Sequence, residues 1–480
     1  MIDMRPSLND SRVILACYIL FALLAIAISP VLHANSYTPR HLVVLVHGIG
    51  AGKSTFGQME EALPNSMQAI GNKSDFQVIS FEYDTGNDQK TTTNFAEHLE
   101  IFIDQYITNQ WIELRPSDRI SLIAHSQGGL ITSIYLFQAF SNPHALGAKL
   151  INHFDSAISL GTPFLGAKTA RLGRKTKSIL STLHLDRPIP FGAIELKEMS
   201  FGSKTITKFR QMMATVEGQS IIKRIGQKVR ILNVVAFGSA LNFLNNFVTG
   251  RNEYEDDLAV PLPSATLNSL YGSASLSNNQ DDNKVYAPTF IENNVAEYRV
   301  VEALHVSLAP DSKHAPSKMM GVAKIPTHCI DDLECSHPSY KMIVQHLGQQ
   351  PVKQNIDVKK RITSFMLDLR VKLADGTQID PDEIEVKFNH RQLHWWWQNP
   401  KVIINDAFEL FADGATVNED DSSSVRLYFT GSIIDSYQPA NDDYRKEVVT
   451  MTISVPGLIT RSVDIEVKAG HSTYLELNLL

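Results

Sequence analysis

From about residue 40 to 347, short runs of apolar, often β-branched residues alternate with stretches whose apolar positions recur every three to four residues. LVVLV (42–46), FQVISFEY (76–83), ISLIA (120–124), AISLG (157–161), VRILNVVAF (229–237) and EYRVVEAL (297–304) read as strands. Several are apolar throughout, as strands covered on both faces are. Between them, TNFAEHLEIFIDQYI and LITSIYLFQAF have helical spacing, and this β-α alternation predicts a mostly parallel sheet in a three-layer α/β domain. After residue 350 the period changes. VVTMTISV, SVDIEV and TYLELNL alternate apolar and polar residues, Asp375-Gly376 is a hairpin-type turn signal, and no long helical pattern follows. Residues 351–480 are therefore expected to form a separate antiparallel β-sandwich domain. The chain shows no internal repeat, and its serine-rich, acidic stretch at 418–424 reads as a solvated loop.

Length agrees with that division, since 480 residues suit two or three domains. A charge of 44 − 51 = −7 argues against whole-chain attraction to nucleic acid. The N-terminus departs from the average: Arg5 and Arg12 precede an apolar run over 13–29, followed by Pro30 and the small residue Ala34. Residues 1–34 resemble an export signal cleaved after Ala34, and the rival is an uncleaved membrane anchor, because about 17–20 apolar residues just span a bilayer. Either places the protein outside the cytoplasm, as a periplasmic, outer-membrane-associated or secreted chain. Cys17 lies inside the run, which leaves Cys329 and Cys335. An oxidising compartment would let these two pair; the alternative is a pair of buried thiols.

The strongest chemical signal is ISLIAHSQGGL, a strand, then Ser126, then a helix. A nucleophile presented on a sharp strand-to-helix turn needs small residues two before and two after it, and Ala124 and Gly128 meet that need. Earlier, LVVLVHGIG ends the first strand with His47-Gly48-Ile49-Gly50. Acyl transfer develops an oxyanion, which the backbone N–H groups of Ile49 and Gln127 would meet, His47 serving to hold their loop. The same stretch contains GIGAGKST, which suggests a phosphate-binding loop. Counting back from Gly52 puts His47 where that loop requires glycine, so Lys53 and Ser54 read as ordinary loop residues.

Together VHGIG, AHSQGG, LGTPFLG (160–166) and DDLAVPLPSA (256–265) resemble the bacterial lipases and phospholipases of the α/β-hydrolase fold, including relatives of the inositol-deacylase lipases. The resemblance covers about residues 40–347, and with the C-terminal β-domain the layout is similar to bacterial phospholipases A with lysophospholipase activity. It implies a catalytic domain over 35–350 and the chain order serine, acid, histidine. The family's acid, three residues before a valine, falls on Asp257, although Glu255 and Asp256 adjoin it in one acidic run. His305 directly follows the last strand, where the family's histidine loop departs, and His337 is the rival base. A Cys329–Cys335 bridge would stiffen that loop. The resemblance also implies a cap insertion at about 168–228, and between Lys168 and Arg230 there are 14 Lys+Arg against 4 Asp+Glu. KTITKFRQMMATV and SIIKRIGQKV are amphipathic, so they are either an ordinary solvated cap or helices lying on an anionic bilayer.

HWWWQNP sets Trp395, Trp396 and Trp397 in a row in the C-terminal part. Alternation along a strand makes at least one of them core, and the others either pack as well or are exposed for membrane or glycan contact. The expected protein is an exported serine carboxylester hydrolase acting on lipids at a membrane surface, a phospholipase A or lysophospholipase first, needing no cofactor or metal. Triacylglycerol, other ester and thioester substrates stay open, as does a non-enzymatic membrane- or glycan-binding role. Oligomeric state is not legible.

Overall fold

Strands β1 (Arg40–Val46), β2 (Asp75–Phe81), β3 (Arg119–His125), β4 (Phe154–Leu160) and β5 (Arg230–Phe237) fall on the apolar runs. The chain then makes β6 (Ser269–Leu276), β7 (Val285–Tyr286) and β8 (Ile291–Asn293), which join other sheets, and returns as β9 (Glu297–Glu302). The first sheet has the order β2-β1-β3-β4-β5-β9 and is parallel throughout. This computed structural model describes residues 38–480 except 87–88, 168–192, 239–254, 258, 278–284, 308–318, 331–336, 381–382, 390–408, 419–420, 434–443 and 456.

The uninterrupted apolar strands are explained by what covers them. Val43 and Leu45 face one side, packing with α1 (Met59–Ala69), while Leu42, Val44 and Val46 face the other, packing with α2 (Thr92–Tyr106) and α3 (Gln127–Ser141). All five strand residues have no solvent exposure, so an alternating pattern would have buried polar groups without partners. Thr91 caps α2 reciprocally with Asn94, and Phe95, Leu99 and Ile103 bury one face of that helix at helical spacing.

Of the segment expected as a cap, the described part is α4 (Ala193–Met199), α5 (Lys204–Ala214) and α6 (Val216–Lys228). Ile206, Phe209, Met213, Ile221, Ile222 and Ile225 are buried in the protein's own core. The apolar faces of α5 and α6 are thus covered by protein and not free to enter a bilayer. Lys204, Lys208, Lys223, Arg224 and Lys228 remain exposed as a cationic face. After β9 come α7 (Pro338–Leu347) and the short α8 (Ile356–Lys360).

The C-terminal strands are β10 (Ser364–Leu373), β11 (Glu385–Asn389), β12 (Glu409–Asn418), β13 (Asp421–Ser432), β14 (Lys446–Val455), β15 (Ile459–Lys468) and β16 (Ser472–Leu479). They form two sheets, β12-β13-β10-β16-β6-β8 and β11-β14-β15-β7. Each sheet recruits strands from residues 269–293, so both cross the division expected at residue 350. The sheets are also not purely antiparallel: β16 runs parallel to β10 on one side and to β6 on the other. Asp375-Gly376 does turn, Gly376 having φ 77°, but it closes no hairpin, because β10 and β11 enter different sheets. Among the described residues no helix is long and apolar enough to cross a membrane.

Candidate active site

Ser126 sits between β3 and α3 with φ 54° and ψ −126°, a strained conformation for a residue with a side chain. Crowding imposes it. A Cβ on Gly128 would stand 2.2 Å from the Val46 carbonyl oxygen, so only glycine lets α3 begin this close to β1. A Cβ on Gly48 would stand 2.7 Å from that of Ser126, which brings the loop after β1 against Ser126. Ser126 N–H donates to the Leu160 carbonyl at 3.1 Å, tying the turn to the end of β4.

His305 follows β9 and points back at Ser126, its Nε2 lying 2.9 Å from Ser126 Oγ. Its Nδ1 lies 2.8 Å from Asp257 Oδ2, and its backbone N–H donates to the Asp257 carbonyl at 2.9 Å. A carboxylate only accepts, so Nδ1 carries the proton and Nε2 is left to accept from the serine hydroxyl. Asp257 is buried, and its other oxygen accepts from the N–H groups of Ala259 and Val260 at 3.1 and 2.8 Å. Both carboxylate oxygens are thereby fixed. Among the described residues the Ile49 and Gln127 N–H groups meet no acceptor, leaving two free donors beside Ser126.

His337 is placed elsewhere. Its Nε2 bonds the Gly321 carbonyl at 3.1 Å and its Nδ1 meets Ser339 Oγ at 2.9 Å, so both ring nitrogens are engaged in holding a buried loop. Cys329 is buried and disulfide-bonded; Cys335 lies outside the described residues, as do Trp395, Trp396, Trp397 and the N-terminal run. Lys53 is exposed, and its N–H donates to the Glu82 carboxylate at 2.6 Å, an anion where a phosphate cradle would need donors alone. Glu255 does not compete as the acid: its carboxylate accepts from the backbone and hydroxyl groups of Thr363 and Ser364.

Sequence reasoning missed His125 and Tyr83 beside this centre. His125 is buried, its Nε2 bonds the His305 carbonyl at 3.0 Å, and its ring lies 4.7 Å from that of His305. Burial, with repulsion from the neighbouring His305 ring whenever that ring is protonated, holds it well below the usual histidine range, so it stays neutral. His47 donates from Nδ1 to the Gly48 carbonyl at 2.9 Å and stacks on Tyr83 at 4.3 Å, burial again lowering its pKa. The Tyr83 hydroxyl donates to the His47 carbonyl at 2.8 Å. His125 was adjacent to the serine and so within reach of a sequence argument. Tyr83 was not, because its partner lies 36 positions away.

Residues 36–241 match a protein family described as "Putative serine esterase (DUF676)". Comparison with curated proteins found no match. Among solved structures, the phospholipase PlaB from Legionella pneumophila aligns over 91% of this chain and 93% of its own, at 13% identity and TM-score 0.60. The same enzyme in complex with thio-NAD aligns at TM-score 0.56 over the same shares and identity. The Bacillus licheniformis lipase BlEst2 in mature form aligns over 50% of this chain and 83% of its own, at 19% identity and TM-score 0.32. The chain thus has an α/β-hydrolase fold and, with the match of residues 36–241 to the family described as a putative serine esterase, is a serine hydrolase.

Proposed function

We propose that the protein hydrolyses carboxylic esters of lipids, phospholipids and lysophospholipids first, through Ser126, His305 and Asp257 and a covalent acyl-enzyme. The relay Ser126 Oγ to His305 Nε2 and His305 Nδ1 to Asp257 carries this reading, at 2.9 and 2.8 Å. His305 takes the hydroxyl proton as Ser126 attacks the ester carbonyl, and Asp257 stabilises the imidazolium that forms. The oxyanion is met by Ile49 and Gln127 N–H, the alcohol leaves with the proton from His305, and water activated by the same histidine releases the fatty acid. Ile49 packs against the apolar cluster that contains Phe164, Phe209, Met213 and Leu262, surroundings suited to an acyl chain. The exposed cations of α5 and α6 favour an anionic headgroup over a neutral triacylglycerol. Export, through the apolar run at 13–29, would bring the enzyme to such a surface.

Fatty-acid release from phosphatidylglycerol, phosphatidylcholine, lysophosphatidylcholine and triacylglycerol tests this. Ser126→Ala and His305→Ala are expected to lower kcat by about 10⁴-fold or more, with His337→Ala retaining turnover at temperatures where it is folded. Wild-type release equal to that of Ser126→Ala on every lipid would sink the proposal. Turnover of triacylglycerol alone would replace the substrate class and leave the nucleophile standing.

A further inference from the structure

The loop that carries Ile49 is gripped from two sides, and one grip comes from the cap. On one side Tyr83 bonds the His47 carbonyl. On the other, Gly50 N–H donates to Thr85 Oγ1 at 2.9 Å, and the Thr85 hydroxyl donates onward to Glu195 Oε2 at 3.0 Å. Glu195 Oε1 accepts from Gly86 N–H at 3.0 Å. Glu195 belongs to α4, has no solvent exposure, and lies 110 positions from Thr85 in sequence. A buried carboxylate is costly unless its oxygens are hydrogen-bonded, so its placement against this loop is specific.

We propose that Glu195 is a positioning residue, carried by the cap, that holds the oxyanion loop in its catalytic shape through Thr85. Gly50 has φ 64°, and the bond to Thr85 fixes the peptide that follows Ile49. With the Tyr83 bond on the His47–Gly48 peptide and the His47 Nδ1 bond on the Gly48 carbonyl, whose peptide carries the Ile49 N–H, this restrains that N–H from turning away from the carbonyl under attack. Electrostatic stabilisation by N–H donors depends on their orientation before the reaction, so slackening this grip lowers kcat more than it alters substrate binding. The inference rests on the proposed role of Ile49 and makes competence of the oxyanion site depend on a seated cap.

Thr85→Val removes both hydrogen bonds at nearly constant volume, Thr85→Ser keeps them, and Glu195→Gln keeps one acceptor oxygen. Steady-state hydrolysis of a short-chain p-nitrophenyl ester is measured for each, with inhibition by an alkyl boronic acid, whose serine adduct carries the negative charge of the tetrahedral state. Thr85→Val is expected to lose about 10- to 100-fold in kcat with little change in KM, boronate affinity falling in parallel. Glu195→Gln falls between it and wild type, and Thr85→Ser recovers most of the activity. Lowered melting temperatures with kcat and boronate affinity unchanged would overturn the proposal and leave Glu195 a purely structural anchor. Ser126→Ala in the same assay separates the two failures: if it too keeps wild-type activity, the site itself has been misassigned.

Discussion

Ser126 and Asp257 face each other across His305, yet two regions hold them by different means. In the parallel sheet Ser126 is set by backbone crowding: glycine at 128, the Val46 carbonyl against it, and a bond from Ser126 N–H to the end of β4. The Asp257 loop lies between β5 of that sheet and β6 of the next, and the Glu255 carboxylate ties it to the C-terminal strands. Glu255, two residues before Asp257, accepts from Thr363 N–H at 2.8 Å and from Ser364 N–H at 3.1 Å, at the start of β10. Burial pushes Glu255 above the usual carboxylate range, opposed by these bonds from Ser364 and Thr363. The C-terminal sheets therefore form a second wall beside Asp257.

That wall contains a buried ion pair, and the largest effect on stability is expected there. Arg426 on β13 meets Asp368 on β10 at 3.0 Å, both about 1% exposed, and Arg210 of α5 is buried nearby, donating to Ser472 Oγ at 2.9 Å. Asp368→Ala leaves two guanidinium groups without their counter-charge, which is expected to cost about 3–5 kcal/mol. Guanidinium denaturation followed by circular dichroism reads this directly, and an unchanged midpoint would refute the pair's role. Gly128→Ala attacks the other region. Its Cβ would meet backbone at 2.2 Å, so α3 must shift, at about 3 kcal/mol and with loss of ester turnover.

Glu255→Ala sharpens the contrast, because it touches both regions. Two backbone N–H groups and two hydroxyls lose their acceptor, for about 2 kcal/mol, and the acid loop loses its tie to β10. Thermal melting and kcat on a soluble ester should fall together. A stability loss with kcat intact would show that the second wall supports the fold without steadying the acid.

What the sequence revealed follows the same contrast. Strand-turn-helix crowding around Ser126 is a local pattern, so small residues at 124 and 128 were enough to locate it. The parallel strands were legible because burial on both faces leaves no polar position in LVVLV. β6 was not: SLYGSASL neither alternates nor is apolar throughout, and it becomes a strand by pairing with β16, some 200 residues later. The Glu255 and Glu195 contacts, spanning 108 and 110 positions, left no local trace. The cap's amphipathic helices were recognisable as such, but the pattern alone could not say whether protein or lipid covered them.

The smallest effect distinguishes the two C-terminal sheets from the core by pH. Glu292, on the edge strand β8, pairs with Lys446 and Lys468 of the neighbouring sheet. Burial opposes its charge, yet the two lysine bonds outweigh that and hold the carboxyl down to about 2, against an ordinary 4.5. The unfolded chain takes up a proton near 4.5 while the folded one keeps its carboxylate, so the pair's contribution is fully present above that pH. It is lost as pH falls from 4.5 toward 2. Glu292→Gln should thus lower stability at neutral pH, by less than about 1 kcal/mol because the group is partly exposed and salt screens it. Melting curves of both proteins from pH 7 downward should converge as the wild-type carboxyl titrates. A constant offset down to pH 2 would mean that Glu292 acts by packing, and that the sheets are not joined by charge at this edge.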